Sequence, residues 1–215
     1  MKTCPLVAGP LRHDFSAIFE DRIGEAGLSV AALEALIPAA ARSLERLREK
    51  KATGALPLLS LPWRQDDLEE GAVLAAELRG WARHVLVLGI GGSSLGGATI
   101  CRLAEKGGTF SPDTPKLHFL DNIDPATFTS IFKRIALEET AVIAISKSGG
   151  TAETVAQFIA CLDRLMTLIG RDNVPNHALV LTEEDNPNNP LRSLAHRLSL
   201  PVLPHDPNVG GRFSA

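Results

Sequence analysis

At 215 residues the chain holds one sizeable domain with an appendage, or two small ones, and its 45% apolar content supplies a core rather than a disordered polymer. The net charge of −3 carries no basic stripe, which excludes the electrostatic footprint of a nucleic-acid-binding protein. Three cysteines, Cys4, Cys101 and Cys161, are odd in number, widely spaced and outside any CxxC or Cys/His cluster, which excludes a disulfide framework and a structural zinc and predicts a reducing compartment.

The opening stretch MKTCPLVAGPLRHDF lacks the apolar core of a signal peptide, and no apolar run approaches the roughly 18 residues of a membrane span. The expectation is a soluble, cytoplasmic protein. From about Ser16 to Lys51 the pattern is helical: Val30, Leu33, Ile37, Ala40, Leu44 and Leu47 recur at steps of three and four. Pro38 sits inside this run and is expected to kink or divide it. ALPLLSLPW (55–63), with two prolines, reads as a linker. Asp66 and Asp67 then favour a helix N-terminus, Leu68, Ala72, Ala75 and Leu78 follow at helical spacing, and Gly80 is a stop signal.

Beyond Trp81 five short apolar runs predict strands: HVLVLGI (84–90), KLHFLDN (116–122), AVIAIS (141–146), HALVLTE (177–183) and LPVLPHD (200–206). They do not alternate polar with apolar, as befits strands buried on both faces of a parallel sheet. Helical patterns lie between them, the clearest through Val155, Ile159, Leu162, Met166 and Ile169. The expected fold is α/β: a three-layer, doubly wound, five-stranded parallel sheet flanked by helices, with an N-terminal helical extension. Residues 1–80 are assigned to the extension, packing on the core, and 81–215 to the α/β domain.

Two strand ends are glycine-rich, and ligands bind beyond the carboxyl ends of such strands. VLGIGGSSLGG (87–97) has the glycine spacing of a P-loop but Gly97 in place of its lysine, and half of a dinucleotide fingerprint, with Ser94 where a third glycine belongs. Ser93 and Ser94 at a helix start, with glycines that let a ligand approach the backbone, suit an anion. A tight strand-to-helix turn without a ligand is the alternative. SKSGGTAET (146–154) repeats the arrangement: Ser146, Ser148 and Thr151 offer hydroxyls, Lys147 offers charge or points to solvent, Thr151 can cap a helix, and Glu153 suits its first turn. Near the end, VGGRFSA (209–215) brings Arg212, a fork of donors, beside two glycines. A small phosphorylated ligand fits better than a dinucleotide.

GIGGSSLGG, SKSGGTAET and GGRFS, in this order on an α/β background, closely resemble the glucose-6-phosphate isomerase family, whose sugar-isomerase (SIS) domain contains the first two. The resemblance covers roughly residues 84–215. It implies that Ser146, Lys147, Ser148 and Thr151 form a phosphate-binding loop, Ser148 standing where threonine is often found. It implies that Gly92 and Ser93 contact substrate, and that Arg212 stabilises an enediolate-like intermediate. It implies glucose 6-phosphate and fructose 6-phosphate as substrate and product, no metal or redox cofactor, and a homodimer in the full-length protein. The family's catalytic glutamate, and its assisting histidine and lysine, belong to a second half expected to lie outside these residues; neither His205 nor Glu153 is expected to replace them. A non-catalytic sugar-phosphate-sensing SIS module and a dinucleotide-binding domain are the competing expectations.

Overall fold

The structure, a computed structural model, describes residues 14–108, 111 and 114–213. Cys4 and the expected absence of a signal peptide lie outside the described residues. The chain divides into two compact units, Met1–Ala55 and Leu56–Ala215.

In the first unit, a 3-10 turn at Ser16–Ile18 leads into helix α1 (Glu20–Ile23), a second turn at Gly24–Ala26, and helix α2 (Val30–Ala52). The continuous helical pattern from residue 16 is therefore interrupted before Val30. The cause is a close approach: a Cβ on Gly27 would lie 2.4 Å from the Glu20 amide nitrogen, and Phe19 pairs with Leu28 in a β-bridge. Ser29 starts α2, its Oγ accepting from the Ala32 amide at 3.1 Å, which satisfies one of the helix's orphan donors. Pro38 does not divide α2, which runs through it. The apolar stripe of Val30, Leu33, Ile37, Leu44 and Leu47 is exposed.

The second unit begins with two proline-bearing 3-10 turns, Pro57–Leu59 and Leu61–Trp63, and helix α3 (Asp66–Trp81). Five strands follow: β1 (His84–Leu88), β2 (Lys116–Leu120), β3 (Thr140–Ile145), β4 (Ala178–Thr182) and β5 (Val202–Pro204). All pair in parallel in the order β2-β1-β3-β4-β5. Between them run α4 (Leu95–Lys106), α5 (Pro125–Phe132), α6 (Ala152–Ile169) and α7 (Pro190–Arg197). The doubly wound α/β sheet is thus as expected; β1, β2, β4 and β5 are shorter than their predicted runs, and β3 begins one residue earlier, at Thr140, and ends at Ile145.

Alternate residues of the central strands enter two cores. Leu86, Leu88, Val142 and Ala144 pack with Ile131 of α5, with Phe158, Cys161, Leu162 and Leu165 of α6, and with Leu191 and Ala195 of α7. Val85, Val87 and Ala141 face the other way, against Leu78 and Trp81 of α3. Burial on both faces explains why the strands read as apolar runs. At the edge, β5 has three residues and ends on Pro204, and Pro201 precedes it.

The sheet order places the site. The crossover from β1 goes to β2 on one side, and that from β3 goes to β4 on the other. Their carboxyl ends diverge between β1 and β3, the crevice where open α/β sheets bind ligands.

Candidate functional site

Both glycine turns open at that crevice. Leu88 pairs with Ala144, so the turn beginning at Gly89 and the turn beginning at Ser146 leave neighbouring strands at the same level.

The second turn is built by its own backbone. Gly149 adopts φ +66° and its amide donates to Ser146 O at 3.1 Å. The Gly150 amide donates to Ser148 Oγ at 3.3 Å. Ser146 is buried, and its hydroxyl lies 3.0 Å from that of Thr151. Thr151 occupies the N-cap position of α6 but makes no side-chain capping bond, so its hydroxyl faces back into the turn. The backbone amides of Lys147, Ser148 and Thr151 donate to no acceptor among the described residues. Three amides and the exposed Ser148 hydroxyl, beside the start of an 18-residue helix, make a set of donors suited to an anion. Glu153 is exposed in the first turn of α6, where it complements the helix dipole.

A layer beneath holds this turn in place. Thr182 Oγ1, at the end of β4, lies 2.7 Å from Ser146 O and 3.1 Å from Lys147 O. Asn189 Nδ2 donates to Thr182 Oγ1 at 2.7 Å and to Glu183 O at 3.2 Å. Asn189 also caps α7, its Oδ1 accepting from the Arg192 amide at 2.9 Å, and is only 1% exposed. The Leu191 amide donates to Gly149 O at 3.3 Å. Neither Thr182 nor Asn189 stands out when the sequence is read for ligand chemistry. The signal for Asn189 is the Asn-Pro pair at 189–190, a cap followed by proline at the first helical position.

Lys147 takes neither of its expected directions. Its ammonium donates to Pro207 O at 2.7 Å and lies 3.4 Å from Glu183 Oε1.

The first turn is a 3-10 turn, Gly91–Ser93, with Gly91 at φ +60°. The amides of Ser93 and Ser94 are consumed by Ile90 O and Gly91 O, so the donors expected at those serines belong to the turn itself. Ser94 is buried with its hydroxyl on Gly91 O at 3.3 Å, while Ser93 is half-buried. Gly92 is where the third motif docks: a Cβ there would lie 2.0 Å from Gly211 O and 2.7 Å from Arg212 Cα. Arg212, in the 3-10 turn Gly211–Phe213, is exposed. Arg212, remote in sequence, is therefore brought to the adjacent pair Gly92 and Ser93.

His205 is buried. Its amide donates to Thr182 O at 3.0 Å, and its Nδ1 lies 2.8 Å from Asp206 O; a carbonyl only accepts, so Nδ1 carries the proton. This ring is a turn fastener. Among the described residues no group of three or more His, Cys, Asp or Glu side chains converges on a metal position, and no helix is long and apolar enough to cross a membrane.

The sequence model of the phosphoglucose isomerase family matches residues 72–215. The chain belongs to the phosphoglucose isomerase family. A glucose-6-phosphate isomerase of Carboxydothermus hydrogenoformans is 33% identical over 216 aligned positions, covering 95% of this chain and 45% of that protein. A probable glucose-6-phosphate isomerase of Methanococcus maripaludis is 30% identical, over 96% of this chain and 45% of its own length. Among solved structures, a hypothetical protein from Thermus thermophilus superposes with a TM-score of 0.68 at 30% identity, over 86% of this chain and 42% of that one. A glucose-6-phosphate isomerase from Chlamydia trachomatis gives 0.57 at 28% identity, over 68% and 27%. The chain thus spans less than half the length of these phosphoglucose isomerase relatives.

Proposed function

We propose that this chain is the sugar-phosphate-binding portion of an aldose–ketose isomerase that interconverts glucose 6-phosphate and fructose 6-phosphate, a step of glycolysis and gluconeogenesis in the cytoplasm. The observation that carries the reading is the set of unused amides at Lys147, Ser148 and Thr151, opening on the crevice where Gly92 seats Arg212. In this reading residues 81–215 are the SIS-type domain. The 146–151 turn takes the phosphate through backbone amides and the hydroxyls of Ser146, Ser148 and Thr151. Gly92 and Ser93 line the sugar. A base takes the proton from C2 of the open-chain aldose and returns it to C1, while the O2 hydroxyl proton passes to O1 as the carbonyl moves from C1 to C2. The cis-enediolate formed between these steps carries its negative charge on oxygen, where the Arg212 guanidinium stabilises it.

In this reading the base lies outside this chain. His205 is buried and committed to Asp206 O, and Glu153 stands exposed at a helix start, so neither is poised to move a proton between carbons. That observation favours binding without turnover by these 215 residues alone, and leaves the full-length enzyme, a homodimer in this reading, to supply the second half of the site.

Amide chemical-shift titration of the 215-residue chain with glucose 6-phosphate tests the proposal. The expected result is millimolar binding that moves the amides of Lys147, Ser148 and Thr151, with no isomerisation. Ser148→Ala and Thr151→Ala each weaken binding about tenfold, the worth of a hydrogen bond to a charged group, with little change in melting temperature. Unchanged affinity with a large fall in melting temperature makes these hydroxyls structural. Robust turnover by the isolated chain shows the base to be misplaced.

A further inference from the structure

We infer that the Lys147 side chain is a positioning strut, not a phosphate ligand: it ties the anion-binding turn to the segment that presents Arg212. The inference rests on the proposed function only for what the two ends hold; the tie itself is a feature of the ligand-free fold.

Lys147 and Pro207 stand 60 residues apart in sequence, yet the ammonium donates to Pro207 O at 2.7 Å. Glu183 Oε1 lies 3.4 Å from the same nitrogen, and both side chains are largely covered, at 25% and 16% exposure for Lys147 and Glu183. A half-buried ammonium with a carboxylate on one side and a carbonyl on the other has its charge answered locally. To reach an anion in the turn it would have to leave Glu183 behind, covered and unpaired, which costs more than an exposed pair would.

The segment on the other end of the tie is pinned twice more. Asp206 Oδ2 meets Arg64 Nη1 at 3.5 Å, and the His205 amide holds Thr182 O. Asp206 in turn shapes the following turn, its Oδ1 accepting from the Asn208 amide at 2.8 Å and its carbonyl accepting from the Val209 amide at 3.2 Å. Val209 is buried, and Gly211 with Arg212 then lies against Gly92. Lys147 thus spans from the turn that offers free amides to the turn that fixes where Arg212 begins. The backbone of Lys147 serves the anion while its side chain sets the distance to the arginine. Glu183 keeps the ammonium on the Pro207 side.

Hydrogen exchange at the Asn208 and Val209 amides reads the tie without any ligand. Lys147→Met is expected to raise their exchange about tenfold, local opening being the process measured, while the Val180 amide in the central sheet changes less than about threefold. Glu183→Gln, a milder change that retains shape, raises it about threefold, and Lys147→Arg, which keeps a donor and a charge, restores most of the protection. Unchanged exchange at Asn208 and Val209 in both Lys147→Met and Glu183→Gln overturns the inference. So does a uniform rise that includes Val180.

A second arm uses inorganic phosphate on the unmodified chain. Under the strut reading, phosphate moves the loop amides but leaves the Lys147 side-chain nitrogen resonance and the exchange at Asn208 and Val209 as they were. If phosphate shifts that resonance and raises exchange at Asn208 and Val209 about tenfold, the ammonium has been recruited to the anion and the inference fails. If phosphate moves no loop amide at all, the proposed function fails instead, and the substitution arm still decides the strut.

Discussion

Asn189 Oδ1 occupies the position that a side chain on Gly149 would take: a Cβ there would lie 1.6 Å from it. Gly149 is also held at φ +66°, a conformation that costs an L-residue about 1–2 kcal/mol. Gly149→Ala therefore carries strain and overlap together and is expected to lower unfolding free energy by about 2 kcal/mol or more in urea titrations. Because the overlap is with one side chain, a double-mutant cycle with Asn189→Ala should show a combined loss smaller than the sum of the single losses. Additive losses would place the clash elsewhere.

Asn189 itself supports three bonds from one buried amide, to Thr182 Oγ1, Glu183 O and the Arg192 amide. Asn189→Ala removes a helix cap and strands buried partners, so a loss of about 2–4 kcal/mol is expected. Asn189→Asp keeps the cap but replaces the donor with an acceptor facing Glu183 O, and should recover only part of it. Full recovery by aspartate would show that the cap alone matters.

Gly92→Ala acts on the other turn. The added methyl meets backbone at Gly211 O and Arg212 Cα, which cannot swing aside as a flexible side chain would. The Arg212 amide resonance is expected to move and, under the proposed function, glucose 6-phosphate binding to weaken about tenfold or more, an overpacking cost localised to the site. An unmoved Arg212 amide would mean that the Gly91–Ser93 turn absorbs the methyl instead.

His84 Nδ1 and His118 Nε2 lie 3.1 Å apart on β1 and β2. Burial holds both imidazoles below the ordinary histidine value, with Lys116 and Arg83 opposing the His84 charge, Glu139 favouring it, and His84, Arg134 and Lys116 opposing that of His118. The unfolded chain then binds protons more readily than the folded one. The pair's contribution is complete above about pH 6.5 and is lost as pH falls through the depressed folded values. The urea midpoint should fall between about pH 7 and pH 5, and His118→Gln should shallow that fall. The same slope in the variant would assign the acid sensitivity to other groups.

Cys161 is fully buried in α6, and burial pushes its thiol up to about 12. Cys101 is half-buried, with its thiol raised by burial and by Glu105. Since the thiolate is the reactive form, peptide mapping after maleimide treatment of the native chain should find slow labelling at Cys101 and Cys161 labelled only after unfolding. Equal rates at both would reveal opening of α6.

The strands were legible because two-sided burial writes itself as unbroken apolar runs, and the two glycine turns because they interrupt such runs with residues that strands avoid. The pairing of β1 with β3, which makes the turns neighbours, is not written in either segment; their adjacency follows from the crossovers leaving in opposite directions, and their register from the ladder between them. Thr151 and Lys147 were legible as residue types but not in their directions. Thr151 turns toward Ser146 rather than capping, and Lys147 crosses to a carbonyl 60 residues away. The docking of Arg212 on Gly92 is a long-range contact with no local signature; its trace in the sequence is the glycine, which offers space without saying for what. Asn189 and Thr182 carry no separate signature: an asparagine before proline looks like loop composition, and a threonine ending a strand looks like strand composition.

The sheet ends at β5, three residues long with Pro201 before it and Pro204 as its last residue. A proline has no amide hydrogen to offer another strand, and so short a border leaves little ladder to extend. That margin is therefore poorly suited to taking a further strand; helices and loops are the better means of packing against it.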